Sequence, residues 1–101
     1  MKYRSTRENK EEISAAEAIK KGLCDDGGLY MPTVFPEISG QMWEKLIGAD
    51  YPERAATILS LYLPEYGYDR LLSDARAAYS DKFDGEIAPV KKLDEHLYVL
   101  E

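Results

Sequence analysis

Few residues in this chain have the type and spacing that chemistry requires. Its single histidine, His96, and single cysteine, Cys24, lie far apart in the sequence. A zinc site needs several such ligands at short motif spacings, so no metal site is expected. His96 follows Glu95 between two short apolar runs and reads as a solvated turn residue ahead of a proton-transfer group. Cys24 precedes Asp25 and Asp26, whose charges oppose the thiolate that a nucleophile needs, so it reads as a buried or half-buried spectator. The carboxylate pairs Glu11-Glu12 and Asp25-Asp26 are adjacent in sequence, and adjacent side chains do not bracket a substrate.

Phosphate cradles are missing as well. Gly27-Gly28 lacks the downstream glycine of a dinucleotide fingerprint and the Gly-Lys-Ser/Thr ending of a P-loop, leaving a plain turn. The lysine pairs Lys20-Lys21 and Lys91-Lys92 lack the apolar setting of a Schiff-base lysine. Read by residue type alone, the chain carries no self-sufficient active site.

The elements that would position these residues are easier to read. Lys2 to Thr6 is compatible with a short strand pairing at a sheet edge. Ser14-Ala15-Ala16-Glu17 is a capping box, with Ile13 placed to staple onto Ala18. The helix it opens runs through Ala15, Ala18, Ile19 and Leu23, with Lys20 and Lys21 at its negative end and Gly22 as its stop. Asp25 to Gly28 must then turn, and Leu29 to Met31 extends briefly before Pro32.

Ser39 caps a second helix with an apolar face of Met42, Trp43, Leu46 and Ile47, and Gly48 can stop it. Pro52 suits the first turn of a third, where Ala55, Ile58, Leu59, Tyr62 and Leu63 predict a largely buried helix that ends at Pro64. Beyond Gly67, Asp69 is the expected cap of a fourth, with a stripe of Leu71, Leu72, Ala75, Ala78 and Tyr79 that packs on the third. Val90 to Leu93 and Leu97 to Leu100, around Asp94-Glu95-His96, predict a β-hairpin. The fold class is therefore α+β: mainly helical, about four helices, with a short N-terminal strand and a C-terminal hairpin, condensed into one unit over residues 1–101.

Composition bounds the partners. The 101 residues, 45% apolar, suffice for one core, and 13 Lys plus Arg against 19 Asp plus Glu give a net charge of -6. That balance speaks against a nucleic-acid or anionic-membrane surface. A lone cysteine and the lack of a signal-type or spanning apolar run point to the cytoplasm.

Taken together, Tyr3-Arg4-Ser5-Thr6-Arg7, the helix from Ala15 to Gly22-Leu23, and Asp26-Gly27-Gly28-Leu29-Tyr30-Met31-Pro32 resemble the opening of threonine synthases in order and spacing. The resemblance extends through the helical middle to Ala88-Pro89-Val90 and Leu97-Tyr98-Val99-Leu100-Glu101, and departs at Glu8, where the family often has glycine. It implies the N-terminal domain of an enzyme that converts O-phospho-L-homoserine and water to L-threonine and phosphate with pyridoxal phosphate. In that family a Phe-His-Gly-Pro-Thr type segment leading to the cofactor lysine comes next, so this chain is expected to stop before the cofactor-binding domain, to bind no cofactor itself and to be inactive alone. Its partners would be that domain and the substrate. Within the chain, Arg4, Arg7, Asp26, Gly27, Gly28 and Tyr30 are the residues expected near the substrate, where a guanidinium would favour a dianion. The competing expectation is a non-catalytic helical interaction module that exposes Trp43 or the Leu97 to Leu100 edge.

Overall fold

A computed structural model describes residues 1–80 and 85–101. Its elements follow in the order β1 (Lys2–Ser5), β2 (Ile13–Ser14), α1 (Ala15–Lys21), β3 (Tyr30–Pro32), α2 (Gly40–Gly48), α3 (Tyr51–Tyr62), a 3-10 turn (Pro64–Tyr66), α4 (Tyr68–Ala78), β4 (Val90–Asp94) and β5 (Leu97–Leu100). The mainly helical α+β class read from the sequence is the one observed.

The first strand does not lie at an edge. β1 is the middle of a three-stranded antiparallel sheet of order β2-β1-β3, with Tyr3 opposite both Ile13 and Pro32. Two short segments on either side, each weak as an isolated strand signal, satisfy both edges of β1. Pro32 joins β3 instead of ending it, which its missing N–H permits because β3 is an outer strand. Tyr3 then ties the sheet to the helices, its hydroxyl donating to the Tyr62 carbonyl at the end of α3 over 2.8 Å.

Helix α1 starts as its sequence dictates. The Ser14 hydroxyl accepts from the Glu17 amide at 3.2 Å while the Glu17 carboxylate accepts from the Ser14 amide at 2.9 Å, and Ala15 and Ala18 are buried. Ser39 caps α2 through the Met42 amide at 3.2 Å. Helix α3 has a second box, Asp50 with Glu53, that Pro52 alone did not announce: the Asp50 carboxylate accepts from the Glu53 amide at 2.9 Å and the Glu53 carboxylate from the Asp50 amide at 3.1 Å. For α4 the cap is Gly67, two residues before the expected Asp69, with no side chain capping the first turn. Asp69 sits inside that turn, where a carboxylate faces the positive end of the helix dipole.

The expectation of a largely buried α3 is corrected. Its one fully covered residue is Ala56, at 0% exposure, whereas Ile58 and Leu59 stay exposed. Helices α3 and α4 pack on each other, and the residues buried on them are Ala56 on α3 and Leu71 and Ala75 on α4, where small side chains allow close approach of two helix backbones. An edge-to-face pair of Tyr51 and Tyr79, 4.8 Å between centroids at 75°, closes the far end of this helix pair. Arg54 of α3 reaches the C-terminal end of α2, its Nε donating to Leu46 O at 2.8 Å and its Nη2 to Ile47 O at 3.2 Å. Leu46 is buried, but Trp43 and Ile47 beside it are 54% and 77% exposed.

The C-terminal hairpin forms, with Val90 opposite Leu100 and Lys92 opposite Tyr98. Asp94 belongs to β4, pairing with Leu97 across a register shift, so only Glu95 and His96 make the turn. Every residue of β4 and β5 is exposed.

These contacts give a direct check on the helix pair. Replacing Ala56 by Leu should overpack the contact and lower unfolding free energy by about 1–3 kcal/mol in urea melts, whereas Asp50→Ala should cost about 0.5–2 kcal/mol through the lost cap. A harmless Ala56→Leu would contradict the α3–α4 packing.

Candidate functional site

The functional residues singled out in the sequence gather around the end of β1 and the turn that follows α1. Between Cys24 and Gly28 the chain folds back on itself, with Gly27 N donating to Cys24 O at 2.8 Å and Cys24 N to Gly28 O at 2.9 Å. Gly27 supplies the positive φ of 76° that this reversal needs. Gly28 has a different role: it is buried against Ser5, whose hydroxyl a Cβ would strike, and 3.2 Å from that same Cβ position stands the Arg7 backbone amide.

Asp26 is the hub of the arrangement. Its carboxylate accepts from Ser5 Oγ at 2.8 Å, from the Gly28 amide at 2.8 Å and from the Asn9 amide at 2.8 Å. The backbone amides of Asn9 and Gly28, with the Ser5 hydroxyl and the Cys24 side chain, hold this carboxyl well below the usual carboxylate range. Ser5 Oγ in turn accepts from the Arg7 amide at 3.1 Å, and Arg7 Nη1 donates to the Asp26 carbonyl at 2.9 Å. The guanidinium lies over Gly27, 2.7 Å from where a Cβ would be. Arg7 thus rests on a backbone carbonyl, not on a carboxylate. Thr6 to Glu8 bends without the glycine that often stands at position 8 in the resembled family, and Glu8 keeps a negative φ.

Cys24 is buried, accepting a 3.4 Å contact from Asn9 Nδ2. A hydrogen bond with the Cys24 side chain, then burial, push the Tyr30 hydroxyl up to about 12, so it holds its proton at neutral pH.

The structure therefore divides the six expected residues. Asp26, Gly27, Gly28 and Arg7 come together in the clamp just described. Arg4 lies on the opposite, outer face of β1 and shares with Arg7 a cleft lined also by Ser5, Thr6, Lys10, Met31, Pro32 and Thr33. Asp26, Gly27, Gly28 and Tyr30 do not line it; Tyr30 faces a separate depression beside α1. Sequence reasoning missed Ser5, Asn9 and Lys10. For Ser5 the signal available was the alternation of β1, which turns Tyr3 and Ser5 inward and Lys2 and Arg4 outward; Asn9 and Lys10 lie beyond the strand and carry no such signal. Among the described residues no cluster of His, Cys, Asp and Glu could hold a metal ion, and no helix is long and apolar enough to cross a membrane.

With this geometry in view, comparison with known proteins is informative. The sequence pattern of the threonine synthase N terminus matches residues 2–79. The chain belongs to the threonine synthase N-terminal family. It is 37% identical to threonine synthase of Schizosaccharomyces pombe over 98% of this chain and 20% of that protein. To the Methylobacillus glycogenes threonine synthase it is 35% identical over 99% of this chain and 23% of the other. Human threonine synthase-like 1 is 36% identical over 90% of this chain and 13% of the other. Its fold superposes on the crystal structure of Escherichia coli threonine synthase with a TM-score of 0.81 at 29% identity, covering 100% of this chain and 23% of that one. The chain thus spans about a fifth of the length of the threonine synthases it matches.

For this threonine synthase N-terminal domain the clamp makes two predictions. Gly28→Ala should abolish or severely weaken folding, because the added methyl meets a hydroxyl fixed by Asp26, while Gly48→Ala, in open space, should not. Asp26 contributes stability that is present above the carboxylate's unfolded value, roughly pH 4, and is lost as pH falls through its depressed native value. Asp26→Asn should accordingly lower stability at pH 7 and flatten the acid limb of a stability-versus-pH curve. An unchanged acid limb would contradict the clamp.

Proposed function

We propose that this chain is the N-terminal domain of a threonine synthase whose whole polypeptide converts O-phospho-L-homoserine and water to L-threonine and phosphate. The observation that carries the reading is agreement along the full chain with threonine synthases in both sequence and fold. The reaction is a β,γ-replacement: the phosphate leaves from the γ carbon and a water oxygen ends on the β carbon. Pyridoxal phosphate, when bound, supplies the electron sink that such a reaction needs.

The residues present here do not fit that cofactor. Every lysine among the described residues is exposed, and a Schiff-base lysine requires a desolvated or cation-flanked setting. None of the described residues is therefore assigned to pyridoxal phosphate, and the share read for the domain is structural support for a partner segment that carries the cofactor. The exposed Trp43, Ile47, Val34 and Phe35, with the hairpin, provide apolar surface for that contact. A cytoplasmic setting agrees with the single, unpaired Cys24.

The test is catalysis by the full-length gene product. Loaded with pyridoxal phosphate, it should release phosphate and threonine from O-phospho-L-homoserine in equal amounts, and the isolated chain should release neither. Failure of the loaded, folded full-length protein to form threonine would overturn the reading.

A further inference from the structure

We propose that the free edge of β5 is a docking edge that takes up one apolar β-strand from the remainder of the parent polypeptide. The inference rests on the reading of this chain as part of a longer threonine synthase, and it adds where and by what contact the rest attaches.

The hairpin stands apart from the unit that precedes it. Among the described elements β4 and β5 pack on each other, and the other substantial contacts between elements involve neither. Every residue in both strands is exposed, Val90 and Leu100 at 64% and 70%. The radius of gyration, 16.3 Å, exceeds the roughly 13 Å of a compact domain of this length, as expected when a ribbon lies off the packed body. A two-stranded hairpin on its own is marginal in water. This one carries apolar side chains on both faces, Val90, Tyr98 and Leu100 on one and Leu97 and Val99 on the other, the pattern of a strand that a sheet covers from both sides.

Backbone pairing shows which groups the ribbon offers. The Glu101 amide donates to the Pro89 carbonyl at 3.0 Å, so Glu101 and Pro89 form a hydrogen-bonded pair, although Pro89 has no N–H to return. From that pair the ladder alternates: Val99 and Lys91 face each other through their backbone groups, whereas Tyr98 with Lys92 and Leu100 with Val90 turn theirs away. The outer edge of β5 therefore presents the N–H and C=O groups of Tyr98 and Leu100, and the outer edge of β4 those of Val90 and Lys92.

The two edges are not equivalent. β4 begins next to Pro89, carries Lys91 and Lys92, and slips register between Lys92 and Asp94, all three being features that discourage a further strand. β5 has none of them: Leu97-Tyr98-Val99-Leu100 is uncharged and free of proline. The added strand thus lies beside β5, and its side chains, flanking Tyr98 and Leu100 on one face and Leu97 and Val99 on the other, are apolar. A second copy is a poor occupant. It carries the same net charge of -6, and antiparallel self-pairing sets Glu101 against Glu95 when centred on Tyr98 or against Leu97 when centred on Val99. The relatives supply the better one: the fold match to Escherichia coli threonine synthase takes in the whole chain, hairpin included, yet only 23% of that protein.

The experiment is amide hydrogen exchange, resolved to single residues, on the full-length protein loaded with pyridoxal phosphate and on this chain alone. The Tyr98 and Leu100 amides should exchange freely in this chain and slow by about a hundredfold or more in the full-length protein, while the Val90 and Lys92 amides of the β4 edge stay fast in both. Leu100→Pro removes an outward N–H without removing a ladder hydrogen bond to β4, and in the full-length protein it should return Tyr98 to fast exchange. Lys92→Pro, the same change on the guarded edge, should not. Where a variant fails to fold, the unsubstituted pair of proteins decides alone. Fast Tyr98 and Leu100 amides in the folded full-length protein, or protection at Val90 and Lys92 in their place, would overturn the proposal. So would protection in this chain alone that grows with its concentration, which assigns the edge to a second copy. Exchange reads no turnover: a full-length protein that makes threonine with these amides still fast removes the docking edge only, and one that protects them without making threonine removes the reaction only.

Discussion

The carboxylate of Asp26 is the constraint on which the N-terminal half depends. One buried hydroxyl and two backbone amides converge on it from segments that are far apart in sequence, Ser5 and Asn9 on one side and Gly28 on the other. Without a shared acceptor, those donors would lose their partner within a partly buried seam, and that costs more than the bonds contribute when made. The clamp fixes where β1 ends, how the chain bends through Thr6 to Glu8, and how β3 starts from the turn. Gly28 is the steric counterpart of the same constraint, since only the absence of a side chain lets Ser5 reach Asp26.

The helical half follows a different principle. Its order rests on caps and on one small-residue contact, Ala56 against Leu71 and Ala75, with Arg54 closing the end of α2. Such a contact covers little apolar area, and much of the remaining hydrophobic surface stays open: Trp43, Ile47 and Ile58 line a groove between α2 and α3, and the hairpin is exposed along its length. A domain that leaves this much apolar surface uncovered is suited to pack against a larger body. Threonine synthases about five times as long provide one. The helices thus leave most of the open apolar surface, while the polar network lies on the sheet.

Much of the local structure was legible because it is written in adjacent residues. Ser14 and Glu17, Ser39, Pro52 and the two glycines at 27 and 28 each act within one turn of chain. Periodicity predicted four helices and the hairpin for the same reason. What escaped were relations that only tertiary contact creates. Two-residue β2 and the proline-ended β3 are too short to announce that β1 is central. The apolar spacing of α3 pointed to Ile58 and Leu59, yet the buried position is Ala56, because close approach to α4 favours a small side chain over a large one. The resemblance brought Asp26 and Arg7 to notice but not their roles, since neither the saturation of Asp26 by Ser5 and Asn9 nor the seating of Arg7 on the Asp26 carbonyl has a local signature.

The most direct test of this account is native-state hydrogen exchange at the clamp. The Asn9 and Gly28 amides both donate to Asp26, and both lie in irregular segments outside the regular ladders. If the clamp organises the sheet, these two amides should be protected to the same degree as those of α3 around Ala56, opening only when the domain unfolds. Exchange at the rate of an unstructured loop, with α3 still protected, would show that the Asp26 contacts do not hold the N-terminal half together.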